Sequence, residues 1–143
     1  MTNRPAEPGD VDDIVAMIRE LAEYEREPGA AQATSEQIHD TLFTGCATPS
    51  GSPAASCLVV ADGDSIAGMA LWFLNFSTWR GRHGVYLEDL FVRPQYRGRG
   101  YGTDATRAIC RFGFDMMNLN RVELDVIASN ERALHVYAKA GFR

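Results

Sequence analysis

Residues 86–102 read YLEDLFVRPQYRGRGYG, and this stretch decides the fold. It begins as an apolar run, carries an acidic pair at Glu88 and Asp89, and is broken by Pro94. Three glycines at alternate positions (98, 100 and 102) then lead into a helix-forming segment. Backbone N–H groups at a helix start point toward a bound anion, and glycine permits close approach and positive φ. The stretch therefore predicts a strand, a turn and a phosphate-binding loop with two carboxylates beside it.

The composition is that of one globular domain. The chain has 143 residues, of which 45% are hydrophobic and 23% charged, enough for a single core. Its net charge of −5 argues against a general nucleic-acid surface and suits a cationic substrate. The N-terminus lacks the apolar core of a signal peptide, and no apolar run is long enough to span a bilayer. We therefore expect neither a nucleic-acid nor a membrane partner.

The cysteines and histidines give no pattern of metal or disulfide chemistry. Cys46, Cys57 and Cys110 are odd in number and far apart, which predicts no disulfide framework. The three histidines, at positions 39, 83 and 135, also lack the spacing of metal ligands. We expect a protein of the reducing cytoplasm without a metal.

Two helices are predicted before the first long apolar strand. Apolar residues at helical spacing begin at Val11, where Asp10 can act as the N-cap, and the Pro-Gly pair at 28–29 stops the helix. Thr34 and Gln37 form a capping-box pattern before a short second helix. A loop rich in small residues follows over 45–56.

The remaining pattern predicts a mixed α/β fold. Strands are expected at 57–61, 65–76 and 85–92, with a bulge or a close backbone approach at Gly68. After the glycine loop come a helix at 103–117, a strand at 121–128, and a helix at 131–140 that Asn130 caps. We expect a mostly antiparallel central sheet flanked by helices.

Two motifs in this order resemble the acetyl-CoA site of the GCN5-related N-acetyltransferase (GNAT) superfamily. The first, Arg/Gln-x-x-Gly-x-Gly/Ala, is met by Arg97, Gly100 and Gly102. The second runs from Asn130 through Tyr137 to a Gly-Phe pair. The resemblance implies one domain over residues 1–143, with its sheet splayed where acetyl-CoA binds. Members continue past the Gly-Phe pair with a final strand, which is expected to be missing here.

A narrower resemblance concerns the acceptor. The sequence LAEYE at 21–25, Trp79 and the sequence YLED at 86–89 resemble the diamine (spermidine/spermine) and thialysine acetyltransferase branch. The sequence VIASN at 126–130 is closer to protein N-terminal acetyltransferases. The branch implies acetyl transfer from acetyl-CoA to a polyamine or lysine-like amine, by a homodimer.

The resemblance also implies catalytic roles. Glu88 is expected to be the general base that takes a proton from the ammonium, and Tyr137 the general acid that protonates the departing thiolate. The backbone N–H of Leu90 is expected to stabilise the oxyanion. On a regular strand, Asp89 would face away from Glu88.

The binding residues fall into three expected groups. The main chain of Leu90, Phe91 and Val92 should bind the pantetheine arm like an added strand, with Asn130 and Tyr137 near it. The pyrophosphate is expected at Arg97, Gly98, Arg99, Gly100, Tyr101, Gly102 and Thr103. The amine is expected among aromatic faces and carboxylates, which attract an alkylammonium: Tyr24, Glu25, Trp79, Glu88 and Asp89.

Three rival functions share features with this sequence. Acetylation of a protein N-terminus uses the same chemistry on a different acceptor. A non-catalytic acyl-CoA sensor could share the fold without turnover. A P-loop nucleotide enzyme is disfavoured because no Lys-Ser/Thr follows the glycines.

Overall fold

The computed structural model of the protein describes residues 2–45, 48–116, 118, 119, 121–126 and 130–143. One five-stranded sheet runs in chain order, antiparallel except for the parallel pair β4–β5, which confirms the predicted mixed sheet. The strands are β1 (Thr2–Pro5), β2 (Ser56–Asp62), β3 (Ser65–Ser77), β4 (Arg82–Val92) and β5 (Val122–Leu124). The helices are α1 (Val11–Tyr24), α2 (Ser35–His39), α3 (Tyr101–Arg111) and α4 (Glu131–Lys139).

Apolar side chains bury both faces of the sheet. On one face, Ile14 and Met17 of α1 lie in a core cluster with Met69 and Phe91. On the other face, a second cluster joins Ala105 and Ile109 of α3 to strand residues Ala70, Val85 and Leu87. The two layers make the sheet a rigid platform, and β4 lies between them.

The N-terminal region differs from the sequence prediction. Strand β1, which the sequence analysis missed, pairs with β2. Asp10 occupies the N-cap position of α1, but its side chain makes no cap hydrogen bond to that helix. Its carboxylate instead accepts from Arg4 at 2.7 and 3.0 Å and from the backbone N–H of Glu7 at 2.8 Å. The predicted cap is therefore wrong, because an arginine of β1 and the preceding turn bind that carboxylate.

Helix α1 ends earlier than the Pro-Gly pair that was expected to stop it. Arg26 has a left-handed φ of 61°. The Arg26 N–H donates to the Glu23 carbonyl at 3.0 Å, and the Glu27 N–H donates to the Ala22 carbonyl at 2.8 Å. This hydrogen-bond pair is a Schellman motif, which closes the helix and fixes the direction of the chain that leaves it.

Other predicted elements are confirmed. The Thr34–Gln37 capping box is present, with both reciprocal bonds. Asn130 caps α4 by accepting from the Ala133 N–H at 3.1 Å. Helix α3 begins two residues before the predicted 103, and a π-helical segment, Phe112–Met116, follows it. The last residue of the predicted helix, 117, lies outside the described residues. The predicted strand at 121–128 is shorter, and its residues 127 and 128 also lie outside that range.

Two irregularities shape the centre of the sheet. A bulge between β2 and β3 lies beside Gly68, where an added Cβ would be 2.7 Å from the Phe91 carbonyl oxygen. This confirms the predicted close approach. A second bulge lies between β3 and β4, where Leu71 pairs with Asp89 but the next residue, Trp72, pairs with Leu87. Glu88 is therefore the inserted residue.

The pairing of β4 with β5 is brief and leaves the sheet splayed. Among the described residues this pairing runs from Val85 to Leu87, whereas β4 itself extends to Val92. Main-chain groups of 90–92 thus lie at the opening where an extended ligand could add as a strand.

Candidate active site

A cavity of about 580 Å³ lies where β4 leaves β5. Its walls are the end of α1, the last residues of β4, the glycine loop with the start of α3, and one face of α4. It brings together most of the predicted site, namely Tyr24, Leu90, Phe91, Val92, Arg97, Gly98, Gly100, Tyr101, Gly102, Thr103, Asn130 and Tyr137. Arg99 lies on the same loop, exposed, with its guanidinium 5.8 Å from the Tyr96 ring centroid.

The glycine loop has the geometry of a phosphate cradle. Gly98 and Gly100 have φ values of 79° and 84°, a region that other residues adopt at a cost. The first α3 bond joins the Asp104 N–H to the Gly100 carbonyl at 2.9 Å. The N–H groups of residues 101–103 precede that ladder, so they are available to an anion at the positive end of the helix. The residues present fit the pyrophosphate of a coenzyme A thioester.

Replacing Gly100 by alanine is expected to raise the KM for acetyl-CoA by about tenfold and to lower the free energy of unfolding by about 1–2 kcal/mol, because a Cβ strains the left-handed conformation. A matched control is Gly51→Ala, since Gly51 has a similar φ of 74° and lies outside the cavity. The control should lose comparable stability and leave that KM within about twofold. Thermal unfolding and steady-state kinetics measure both. A normal KM in Gly100→Ala would contradict the cradle.

The side chain of Arg97 turns inward. Its Nε donates to the Val92 carbonyl oxygen at 2.8 Å. Its guanidinium lies 4.9 Å from the ring centroid of Tyr24 and 5.3 Å from that of Phe91. The backbone N–H of Arg97 donates to the Pro94 carbonyl at 3.2 Å, so the predicted pyrophosphate contact of Arg97 falls to the remaining N–H groups of its guanidinium. The side chain also joins α1 to β4.

The two strand carboxylates have different environments. Glu88, the inserted residue of the bulge, is exposed, whereas Asp89 is half-buried. Burial raises the pKa of Asp89 to about 6, helped by the negative charges of Glu88 and Glu25. Leu87 and Leu90, three residues apart, both pack in the α3-side cluster. The alternation is thus broken between them, so the regular strand on which the expected orientation of Asp89 relative to Glu88 depended is not present.

Tyr137 projects from α4 into the same cavity. Burial, with the charges of Asp89 and Glu25, raises the pKa of its phenol to about 12. Its ring packs with Phe142 at a centroid distance of 5.9 Å. The phenol therefore stays protonated at neutral pH, which is the form a general acid needs.

The residues expected around the amine separate into two places. Tyr24 lines the cavity beside the glycine loop, and Glu25 acts electrostatically on Asp89 and Tyr137. Trp79 lies on the β3–β4 turn with 98% of its surface exposed, and it does not line the cavity. The structure does not bring Trp79 to the other predicted amine residues.

Sequence reasoning missed three basic residues of the cavity wall. Arg132, His135 and Lys139 of α4 line it, opposite the glycine loop. Their spacing of three and four residues places them on one helical face, a signal that the sequence carries. Positive charge on this face complements the phosphates that the loop can hold.

A glycine loop with the geometry of a phosphate cradle, the main chain of β4 beyond its pairing with β5, and a cavity lined by the phenol of Tyr137 together define an acyltransferase that uses a coenzyme A thioester. The acetyltransferase (GNAT) family model matches residues 14–142. The chain belongs to this family and is an acetyl-CoA-dependent N-acetyltransferase.

Relatives agree with this assignment, and a solved structure agrees with the fold. The chain is 32% identical over 146 residues to thialysine N-epsilon-acetyltransferase of Bos taurus, covering 96% of this chain and 81% of the relative. It is 38% identical over 54 residues to spermidine N(1)-acetyltransferase of Escherichia coli K12, covering 38% of this chain and 29% of the relative. A crystal structure of a Bacillus halodurans protein, 23% identical, superposes with a TM-score of 0.83 over 100% of this chain and 93% of that one, which shows the fold.

Two further features of the described part of the chain concern metals and membranes. No three His, Cys, Asp or Glu side chains there come together as a metal-binding group. None of the helices there is long and apolar enough to cross a membrane.

Proposed function

We propose that the acceptor of this N-acetyltransferase is a small cationic amine, a polyamine or a lysine-like compound. The observation that carries the proposal is a cluster of three carboxylates, Glu25, Glu88 and Asp89, two of which also act electrostatically on Tyr137 in the cavity. The charges of Glu25 and Glu88 raise the pKa of Asp89. The charges of Asp89 and Glu25 likewise raise the pKa of Tyr137. Such a cluster attracts an alkylammonium. The relatives named for thialysine and spermidine acetylation support the same class.

The proposed chemistry is direct transfer. Glu88 takes one proton from the ammonium, and the free amine attacks the thioester carbonyl carbon, forming the C–N bond. The Leu90 N–H stabilises the oxyanion, as such a donor does when it is fixed in place beforehand. The C–S bond then breaks, and Tyr137 protonates the thiolate. The phenolate recovers the proton that the new amide nitrogen sheds, so one proton is released per turnover.

An acceptor profile tests the proposal. Acetyl-CoA-dependent turnover is measured with spermidine, thialysine, an aminoglycoside and a peptide with a free N-terminus. We expect kcat/KM for the polyamine or the lysine analogue to exceed that for the peptide by at least about tenfold. Acetylation of the peptide alone would overturn the proposal in favour of an N-terminal acetyltransferase.

A non-catalytic sensor would show a different result: tight coenzyme A binding with no turnover of any amine.

The segment 126–130 that favours an N-terminal acetyltransferase includes residues 127–129, which lie outside the described residues. The cytoplasmic location, the homodimer and the single domain over residues 1–143 stay predictions. Cell fractionation, light scattering and limited proteolysis test them.

A further inference from the structure

The end of α1 touches both halves of the site. Tyr24, the last residue of the helix, lines the acetyl-CoA cavity. Glu25, the next residue, is one of the charges that act on Asp89 at the amine side. Two neighbouring residues therefore connect the binding places of the two substrates.

Tyr24 is anchored from two directions. Its hydroxyl donates to Oδ1 of Asn130, the cap of α4, at 3.4 Å. Its ring faces the Arg97 guanidinium at 4.9 Å, a cation–π distance, while Arg97 Nε is bound to the Val92 carbonyl. Tyr24 thus joins α1 to α4, to the glycine loop and to β4.

The chain beyond Tyr24 has little freedom to move independently. The Schellman bonds at Arg26 and Glu27 close the helix directly after Glu25. The Glu25 N–H itself donates to the Leu21 carbonyl at 2.9 Å. A shift of Tyr24 therefore carries Glu25 with it.

We propose that Tyr24 is a positioning residue that couples the two substrates: its contacts in the acetyl-CoA cavity hold Glu25 beside Asp89. This inference rests on the proposed function, because it assigns the amine side to Glu25 and Asp89. Acetyl-CoA occupying the cavity and the amine occupying the carboxylate cluster then act on one element, the end of α1. Such linkage is reciprocal, so each ligand changes the affinity of the other by the same factor.

The pKa of Asp89 can serve as a measure of the coupling, because the charge of Glu25 is one of the causes that raise it. The groups that act on it or feel its charge are Glu88 of β4, Glu25 after α1, Tyr137 of α4 and Cys57 of β2. The charge of Glu25 raises the pKa of Asp89. Displacing Glu25 should lower that pKa and move the acid limb of kcat/KM for the amine to lower pH.

The experiment uses Tyr24→Leu, Glu25→Gln and the double variant. The affinity for spermidine is measured by calorimetry with and without coenzyme A, and the pH profile of kcat/KM for spermidine is recorded. In the native protein we expect coenzyme A to change the spermidine affinity by at least about fivefold. Tyr24→Leu should bring the ratio of spermidine affinities with and without coenzyme A close to one. It should also shift the acid limb of the pH profile to lower pH, as Glu25→Gln does. The double variant should shift the acid limb no further than either single variant.

Matched variants separate coupling from general damage. Tyr24→Phe keeps the ring over Arg97 and should retain most of the coupling. Glu23→Gln removes a neighbouring exposed carboxylate that is absent from the charges acting on Asp89, and it should leave the acid limb in place. Tyr96→Leu removes the ring near Arg99 on the loop, and it should change the KM for acetyl-CoA without moving the acid limb.

The proposal is overturned if Tyr24→Leu alters the KM for acetyl-CoA alone, or if the coupling ratio stays at its native value. Failure of the proposed function looks different, because the native protein would then acetylate no small amine before any variant is made.

Discussion

Replacing Glu88 by glutamine is expected to lower kcat/KM for the amine by about 10²- to 10³-fold, because the variant cannot accept the proton that an ammonium must lose. Glu88 is exposed in the bulge of β4, so its replacement removes no buried packing. Stability and the affinity for acetyl-CoA should stay close to native. Steady-state kinetics, calorimetry with coenzyme A and thermal unfolding measure the three quantities.

Asp89→Asn is the informative partner variant. The raised pKa of about 6 means that folding disfavours the charged form of this carboxyl. A carboxyl with a raised folded pKa stabilises the fold in acid, and that contribution is lost as pH rises through about 6. At pH 7 the asparagine variant should therefore be more stable, by up to about 3 kcal/mol for a shift of this size. Its activity should nevertheless fall, because the ammonium loses a charged partner.

The pair of variants decides which carboxylate is the base. In the native protein, kcat/KM for the amine should fall below about pH 6 as Asp89 takes up a proton, and Asp89→Asn should abolish this limb. If Glu88→Gln keeps turnover within twofold of native while Asp89→Asn loses about 10²-fold or more, the general base is Asp89 and the role assigned to Glu88 is wrong.

The parts of this site that follow from sequence are set by local chemistry. The alternate glycines predicted a tight, anion-binding loop, and of this prediction the structure confirms the backbone conformation, since Gly98 and Gly100 adopt positive φ. Asn130 was predicted as a helix cap because its short side chain reaches back to N–H groups of the first turn, and it does so. Residues a few positions apart decide such features, and a sequence shows them directly.

The features of the fold and the site that the sequence did not predict depend on contacts between residues far apart in the chain. A strand sequence cannot reveal an inserted residue, because the bulge at Glu88 is defined by the pairing of its two neighbours with consecutive residues of β3, Leu71 and Trp72. The inward turn of Arg97 likewise depends on Tyr24, 73 positions earlier. Strand β1 was missed since its four residues lack apolar alternation, and its pairing with β2 makes it a strand.

Replacing Tyr137 by phenylalanine is expected to lower kcat by about 10²-fold, because the thiolate then leaves without a proton donor. The ring of the variant can keep its packing against Phe142 and the α3-side core. The dissociation constant for coenzyme A should therefore stay within about threefold of native. A loss of kcat with intact binding separates a general acid from a residue that merely lines the cavity.

The chain offers a matched control in a second phenol. Tyr86 also has its pKa raised to about 12, here by its hydrogen bond to Asp125 at 2.5 Å, yet it does not line the cavity. Tyr86→Phe should thus keep kcat within about twofold of native, although it too loses a buried or bonded hydroxyl. Equal losses in both variants would mean that the phenols act through stability, and native turnover in Tyr137→Phe would remove Tyr137 from the mechanism. The two phenols share their acidity and differ in position, so the comparison tests whether position in the cavity makes Tyr137 the acid.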